Sequence, residues 1–186
     1  MVAATVEPER LLFVDECGLH TSLAPIYGYT RQRASALGFR YREAGARTQR
    51  LLSSMTIEGM GPSLAVEGAT TSQVFETYYV EKVLVPSLRA GQIVVMDNLG
   101  AHRPKRIREL IEQQGCELFY LPAYSPDYNP IEEAFAKIKN LLRKVAARSK
   151  EALVETIGQA ALSAVSAADA QGFFEHAGYR PVGQLL

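Results

Sequence analysis

The sequence is poor in cysteine, has no excess charge of either sign, and lacks any long hydrophobic run. Its two cysteines, Cys17 and Cys116, lie far apart without a partner at zinc-site spacing, so we expect buried or idle thiols in a reducing compartment. No apolar stretch approaches the ~18 residues that a membrane-spanning helix needs. The N-terminus lacks the basic start and apolar core of a secretory signal. These absences predict a cytoplasmic protein without a membrane partner.

The balance of 20 basic and 20 acidic residues also bears on nucleic-acid binding. A stand-alone binder usually has a basic excess, because neutralising phosphates drives its affinity, so this balance argues mildly against tight DNA binding by this chain alone. Two local basic runs are more informative. Either run alone could be a solvated surface, but together they flank a candidate acidic site and suggest a phosphate backbone laid across it. The candidate DNA contacts are Arg31, Arg33, Arg40 and Arg42 in the first run, and Lys137, Lys139 and Arg143 in the second.

Short hydrophobic segments predict the strands of one α/β domain. At 186 residues the chain is long enough for one such domain with a sizeable core, and too short for two. A turn signal at Gly59, Gly61 and Pro62 predicts a hairpin between the second and third strands. The predicted strands cover residues 10–15, 50–57, 63–66, 92–96 and 117–121.

Helical spacing of apolar residues predicts four helices. The first starts near Thr70 or Thr71 and should bury Val74, Tyr78 and Val85. The others cover 104–115, 130–147 and 151–168, with a short tail after Gly172. An early hairpin followed by alternating helices and strands favours a mixed sheet with helices on both faces. This order of elements matches a ribonuclease H-like α/β sheet, although it is also compatible with other α/β folds.

Three acidic residues fall where their side chains can leave the core. Asp15 and Asp97 each come directly after an apolar run, RLLFV and QIVVM. Glu132 falls in the first turn of the third predicted helix, with Asn129 as its cap. Carboxyl ends of neighbouring strands in an open α/β sheet converge on one crevice. A helix docked on that edge can project Glu132 toward the two aspartates.

Hard divalent cations would explain why carboxylates gather at such an edge. Magnesium takes oxygen ligands and usually accepts a few carboxylates together with substrate phosphate. Without a metal, three carboxylates in one crevice would repel one another and raise their pKa values. The pattern therefore indicates a divalent-cation site suited to chemistry at phosphorus.

Each acid alone has an ordinary structural interpretation. An aspartate at a strand end is usually a solvated turn residue, and Asp97 with the asparagine after it makes a good turn pair. Glu132 could simply close a capping box at its helix start. The adjacent acids Glu16 and Glu133 leave open which member of each pair faces the site. Only the three acids taken together weaken these interpretations.

Four motifs resemble a known family. VVMDNLGAH (residues 94–102) followed by LPAYSPDYNPIEEAFAKIK (residues 121–139) is similar to the DDE-superfamily endonuclease domain of bacterial insertion-sequence transposases related to mariner elements. LLFVDECGL (residues 11–19) resembles the first acidic motif of that family, and FFEHAGY (residues 173–179) resembles its C-terminal ending. The 34 residues between the second and third acids are a spacing characteristic of the group.

The resemblance implies a ribonuclease H-like fold and a DNA transposase that binds two Mg²⁺ or Mn²⁺ ions. Asp15 would bridge both ions, while Asp97 and Glu132 would each complete one. The implied reaction is hydrolysis of DNA at the element ends, followed by transfer of the freed 3′-hydroxyl to target DNA, carried out by a homodimer that joins two ends. Asn98 and His102, in the matched stretch, are candidates to support the metals or touch phosphate, and a polar role at a helix start fits them equally. Asn129 would order the loop before Glu132.

One departure from the family concerns recognition of the element ends. Full-length relatives carry N-terminal helix-turn-helix modules, and here only nine residues precede the first predicted strand. We therefore expect residues 1–186 to form a single catalytic domain without that DNA-binding region. It would come from a truncated chain, a degraded element, or the second half of a split reading frame that works with a separate end-binding polypeptide.

Two rival functions remain open. One is an inactive or repurposed DNA-binding or assembly remnant; the three intact acids count against it and the missing recognition helices count for it. The other is a generic ribonuclease H-like nuclease acting on RNA–DNA hybrids, which the long match to SPDYNPIE disfavours.

Overall fold

The computed structural model describes residues 7–20, 48–97, 105–122, 125–145, 150–158 and 162–180. None of the helices in these ranges is long and apolar enough to cross a membrane. Cys17 and Cys116 are both free and buried, which confirms the prediction of buried thiols. Several residues singled out in the sequence lie outside the described ranges: Arg31, Arg33, Arg40, Arg42, Asn98 and His102.

A five-stranded mixed sheet forms the centre of the fold, in the order β3-β2-β1-β4-β5. The first three strands are antiparallel, whereas β4 pairs parallel to β1 and β5 pairs parallel to β4. This arrangement confirms the predicted mixed sheet and all five predicted strands. The strands are β1 (Leu11–His20), β2 (Thr48–Thr56), β3 (Gly59–Glu67), β4 (Ile93–Met96) and β5 (Glu117–Tyr120).

Helices cover both faces of this sheet, as predicted. On one face lie α2 (Ile131–Val145), α3 (Lys150–Thr156) and α4 (Ala167–His176), and we call this the α2 face. On the other lie a π-helix (Val74–Leu84) and α1 (Lys105–Glu112). Because side chains alternate along a strand, the odd-numbered residues of β1 point to the α2 face and the even-numbered ones to the opposite face.

The hairpin between β2 and β3 is tighter than the sequence predicted. The turn consists of residues 57 and 58, so the glycines expected to form it lie inside β3. Gly59 has a φ of 130°, which favours glycine. A Cβ on Gly61 would approach the Ser54 hydroxyl oxygen to 2.5 Å, so this glycine permits close contact between the two strands. The glycines therefore shape the strand beside an irregularity in pairing between Ser53 and Met55 rather than the turn itself.

The helix after β3 exists as predicted but buries different residues. The Thr71 hydroxyl accepts a hydrogen bond from the Val74 N–H at 3.2 Å, which confirms the predicted cap. The prediction of Tyr78 as a core position is wrong, because its side chain is 53% exposed. The buried residues recur at steps of four or five, as suits the wider turn of a π-helix rather than the α-helical period assumed from the sequence. They are Phe75, Tyr79, Val80 and Leu84.

The C-terminal part contains two helices where one was predicted. α3 ends at Thr156, and a turn precedes α4. Ser166 begins α4 with a capping box: its hydroxyl accepts from the Asp169 N–H, while the Asp169 carboxylate accepts from the Ser166 N–H. This pair fixes a new helix start. Consequently α4 runs through Gly172, where the sequence had predicted only a short tail.

Candidate active site

Asp15 and Asp97 lie on neighbouring parallel strands at the point where those strands stop pairing. The last pair between β1 and β4 joins Val14 to Met96, and the two aspartates are the next residues of each strand. Neighbouring strands are roughly 4.8 Å apart, so the two backbones are adjacent here. β1 itself continues to His20, which corrects the expectation that the strand ends at Asp15.

Helix α2 brings Glu132 to the same face of the sheet. Ile131, Ala134 and Phe135 of α2 are buried in the core cluster that also contains Phe13 of β1. This packing leaves Glu132, in the first turn of α2, exposed at the rim of that core. Asp15 and Glu132 are thus both on the α2 face, and Asp97 directly follows β4, the strand next to β1.

The charges of neighbouring acids affect the pKa values of Asp15 and Glu132. Burial is the largest cause that raises the pKa of Asp15, and the charges of Asp97 and Glu132 add to it, so this pKa lies at about 6 instead of 3.8. Burial also raises the pKa of Glu132, and the charges of Asp127 and Asp97 act in the same direction. Mutual repulsion among clustered carboxylates was the behaviour expected of the site without a cation.

The neighbouring acids Glu16 and Glu133 are held by other partners. Glu16, on the opposite face of β1, forms an ion pair with Arg50 of β2 at 2.8 Å. Glu133 contacts the Nδ1 atom of His176 in α4 at 2.7 Å. Neither acid figures among the causes that raise the pKa of Asp15 through charge repulsion. The geometry therefore favours Asp15 and Glu132 over their neighbours as the acids that face the site.

Asn129 links the loop before α2 to the first acid. Its side chain is buried, with 6% exposed, and its Nδ2 donates to Asp15 Oδ2 at 2.8 Å. Its backbone carbonyl accepts from the Glu132 N–H at 3.1 Å. A residue expected from the sequence to cap a helix thus contacts one acid through its side chain and the next through its backbone.

The basic residues predicted to bind DNA differ in their surroundings. Lys137 forms an ion pair with Asp169 of α4 at 2.6 Å, and Arg143 donates to Asn140 within its own helix at 2.7 Å. Lys139 points to the site instead: its ammonium opposes the effect of burial on the pKa of the Cys17 thiol and lowers the pKa of Glu132. Of the three, Lys139 is the cation whose charge acts on Glu132.

Sequence reasoning missed the contribution of the C-terminal segment to this site. The hydroxyl of Tyr179 donates to the backbone carbonyl of Tyr128, in the loop before α2, at 2.9 Å. Its ring packs on Phe13, two residues before Asp15, with ring centroids 5.1 Å apart. The one available signal was the similarity of residues 173–179 to the C-terminal motif of the family, and this similarity did not assign a role to any individual residue.

The acids do not form a ready-made metal site. Within the part of the chain that the structure describes, no three His, Cys, Asp or Glu side chains are gathered closely enough to hold an ion. The acids influence each other's pKa without meeting, as like charges do. Their oxygens are nevertheless the ligands that Mg²⁺ and Mn²⁺ prefer, and the Glu132 side chain is exposed. The donor set therefore fits hard divalent cations.

Comparisons with known proteins identify the family and the fold. A family model described as DDE superfamily endonuclease matches residues 10–154. A comparison with curated protein sequences gives no match.

Solved structures with a similar fold include a pre-cleavage Mos1 transpososome, with a TM-score of 0.76, 14% identity, and coverage of 92% of this chain and 53% of that chain. The Mos1 mariner paired end complex with Mn has a TM-score of 0.71 and 16% identity, covering 92% of this chain and 53% of that one. The catalytic domain of Mos1 mariner transposase has a TM-score of 0.61 and 14% identity, covering 92% of this chain and 78% of that domain.

The chain thus spans about half the length of the proteins in the two complexes. At these identities the likeness establishes the fold, and it confirms the predicted ribonuclease H-like architecture. The family match covers well over half of the sequence. The chain belongs to the DDE superfamily endonuclease family.

Proposed function

We propose that residues 1–186 form a single transposase catalytic domain that cuts DNA at element ends and joins it to target DNA, with Asp15, Asp97 and Glu132 holding two Mg²⁺ or Mn²⁺ ions. The observation that carries this proposal is the placement of Asp15 and Asp97 directly after the last paired residues of β1 and β4, with Glu132 in the first turn of the helix packed on the α2 face, all within the residues that match the endonuclease family model. In this arrangement burial and two neighbouring carboxylates raise the pKa of Asp15 to about 6. A partly buried carboxylate beside two others of the same charge is costly in a fold. Bound cations would remove that cost.

The division of ligands between the ions follows the family resemblance. Asp15 would serve both ions, and Asp97 and Glu132 would each serve one. When bound, such ions supply activation of the attacking oxygen and stabilisation of the leaving oxygen in a displacement at phosphorus. The Mos1 mariner paired end complex with Mn supports a divalent cation of this kind.

The remaining groups of the site hold the acids and the DNA in place. The Asn129 amide fixes one oxygen of Asp15, and the backbone N–H of Glu16 donates to the other at 2.6 Å. With both oxygens oriented, Asp15 presents its remaining lone pairs in fixed directions. The Lys139 ammonium, beside Glu132, is suited to neutralise a phosphate that approaches the acids.

DNA is the proposed partner, both as element ends and as target. The proposed active assembly is a homodimer that joins two element ends. Because the chain matches about half the length of the protein in the pre-cleavage Mos1 transpososome, we assign recognition of element ends to sequence beyond the match or to a separate polypeptide. The balanced net charge fits a domain that relies on another module for affinity. The reducing cytoplasm suits its two free thiols.

Nicking of supercoiled plasmid DNA with Mn²⁺ or Mg²⁺ tests this function. We expect nicking by the wild-type chain, loss of nicking in Asp97→Ala with an unchanged circular dichroism spectrum, and full activity in the matched control Glu16→Gln, whose side chain lies on the opposite face of β1. Strand transfer is then assayed with an end-binding module added.

Three results would contradict the proposal, each in a different way. Activity that persists in Asp97→Ala would reject the assignment of the acids. A folded wild-type chain that binds DNA but never nicks it would favour an inactive remnant. Cleavage of RNA–DNA hybrids in preference to DNA duplexes would favour a ribonuclease H-like nuclease.

A further inference from the structure

The segment that follows α3 holds the loop and helix that carry Glu132. Two contacts reach α2 itself, Asp169 with Lys137 and His176 with Glu133. A third reaches the loop before α2, where the Tyr179 hydroxyl donates to the Tyr128 carbonyl at 2.9 Å.

These contacts differ in how firmly they can fix a position. The two contacts with α2 lie at the surface: the Lys137 and Asp169 side chains are 40% and 28% exposed, and the His176 side chain is 80% exposed. Exposed ion pairs contribute little and are screened by salt. Tyr179 instead combines a directed hydrogen bond with ring packing, since its ring lies 5.1 Å from that of Phe13 and 6.0 Å from that of Phe174. Burial raises its pKa to about 12, so the hydroxyl stays a donor at physiological pH.

The end of α4 determines where Tyr179 lies. Gly178 has a φ of 91°, in the left-handed region that favours glycine. This turn returns the chain toward the helix, and the Tyr179 N–H donates to the Phe174 carbonyl at 2.8 Å. The position of the Tyr179 side chain is therefore fixed by this backbone hydrogen bond as well as by ring packing.

Tyr179 connects the two parts of the site. Its ring contacts Phe13, two residues before Asp15 on the same face of β1. Its hydroxyl holds Tyr128, the residue before Asn129, whose amide binds Asp15 and whose carbonyl binds the Glu132 N–H. A shift of the Tyr128 carbonyl would therefore move Asn129 and the start of α2 relative to β1.

Building on the proposed function, we propose that Tyr179 is a positioning residue: by holding the Tyr128 carbonyl against β1, its hydroxyl sets the distance between Asp15 and Glu132 at which divalent cations bind. It touches neither substrate nor metal and acts through the loop before α2.

Tyr179→Phe tests this role, since it removes the hydroxyl and keeps the ring on Phe13. We expect Mn²⁺ affinity, measured by electron paramagnetic resonance without DNA, to fall about tenfold, in the range typical of partners that orient metal ligands. The Mn²⁺ concentration for half-maximal plasmid nicking should rise by a similar factor. Because Tyr179 is partly exposed, the thermal midpoint should fall by less than about 2 °C.

Tyr79→Phe is the matched control. Tyr79 also donates its hydroxyl to a backbone carbonyl, that of Pro62 at 3.2 Å, but it is fully buried on the opposite side of the sheet. Loss of this bond should lower the thermal midpoint by about 2–4 °C and leave Mn²⁺ affinity unchanged. The two variants thus separate stability from positioning.

The possible results distinguish the positioning role of Tyr179 from the proposed catalytic function. Wild-type Mn²⁺ affinity in Tyr179→Phe would overturn the positioning role alone, provided that Asp97→Ala has lost Mn²⁺ binding. Equal losses of affinity in Tyr179→Phe and Tyr79→Phe would also overturn it, because the effect would then follow general destabilisation. Absence of Mn²⁺ binding by the wild-type chain would instead reject the proposed function itself.

Discussion

Asp15→Asn is expected to stabilise the protein at neutral pH when no divalent cation is present. Burial, opposed by the Glu16 N–H and reinforced by two neighbouring carboxylates, raises the pKa of Asp15 from 3.8 to about 6. The folded protein therefore binds this proton more tightly than the unfolded chain does. The contribution of protonated Asp15 to stability is full below about pH 4 and is lost as pH rises through about 6.

The size of the effect follows from the two pKa values. A difference of about two corresponds to about 3 kcal/mol, which is the upper limit of what an uncharged side chain could recover. Asp15 is only half-buried, so solvent screens part of this cost. Asparagine keeps one oxygen for the Glu16 N–H, and the Asn129 amide can turn to accept from its NH₂ group. We therefore expect the variant to be about 1–2 kcal/mol more stable at about pH 7.5.

Urea unfolding in EDTA, followed by circular dichroism, measures this difference. The gain of Asp15→Asn should shrink steadily from about pH 7.5 to about pH 4, where wild-type Asp15 is protonated in the folded protein. Glu16→Gln, which loses the ion pair with Arg50, should show no such gain. Equal stability of wild type and Asp15→Asn at neutral pH would refute the idea that Asp15 is held at a cost. A gain that does not depend on pH would refute its electrostatic origin.

The remaining predictions concern α2 and α4. Glu132→Gln should reduce Mn²⁺-dependent nicking more than about 100-fold, because mutation of residues that only orient metal ligands already lowers activity about 10–100-fold. Glu133→Gln should retain most activity. Equal losses in the two variants would contradict the assignment. The hydrogen bond with Lys137 is the largest cause that lowers the pKa of Asp169, to about 2. The wild-type protein should therefore lose stability relative to Asp169→Asn as the pH falls from about 4 to about 2. Parallel acid-unfolding curves of the two proteins would contradict this prediction. Gly172→Ala, in α4, should raise the unfolding free energy by about 0.5–1 kcal/mol, because an added Cβ would have no atom within 4 Å; a destabilised variant in urea melts would show that the helix is constrained there.

The five strands and the mixed sheet could be predicted from the sequence because each apolar run is bounded by turn residues. The order of elements was compatible with other α/β folds, and the resemblance to a family selected the ribonuclease H-like sheet. The predictions failed where local geometry departs from the common period. The π-helix shifts its buried positions from Tyr78 to Phe75 and Tyr79. The capping box at Ser166 starts a helix that composition alone had merged with the one before it.

Sequence patterns alone left the candidate site at pairs of adjacent acids, and the family resemblance selected Asp15 and Glu132 within them. Spacing within the chain does not say which acid of a pair faces inward, because that depends on strand register and on partners far away in sequence. Arg50 binds Glu16 from the next strand, and His176 binds Glu133 from α4. The link from Tyr179 to the loop before α2 joins residues 51 positions apart, and no local pattern predicts it.

The face of β1 that carries Asp15 is otherwise apolar. Its odd-numbered residues are Leu11, Phe13, Cys17 and Leu19, all buried, with the carboxylate in the middle of the row. A hydrophobic side chain at this position would extend the core and remove the repulsion from Asp97. Natural folds keep such a violation of the hydrophobic pattern mainly at functional sites. Asp15 in the central strand β1 therefore lowers the stability of the fold when no cation is bound. We expect this of a carboxylate whose function is to bind a divalent cation.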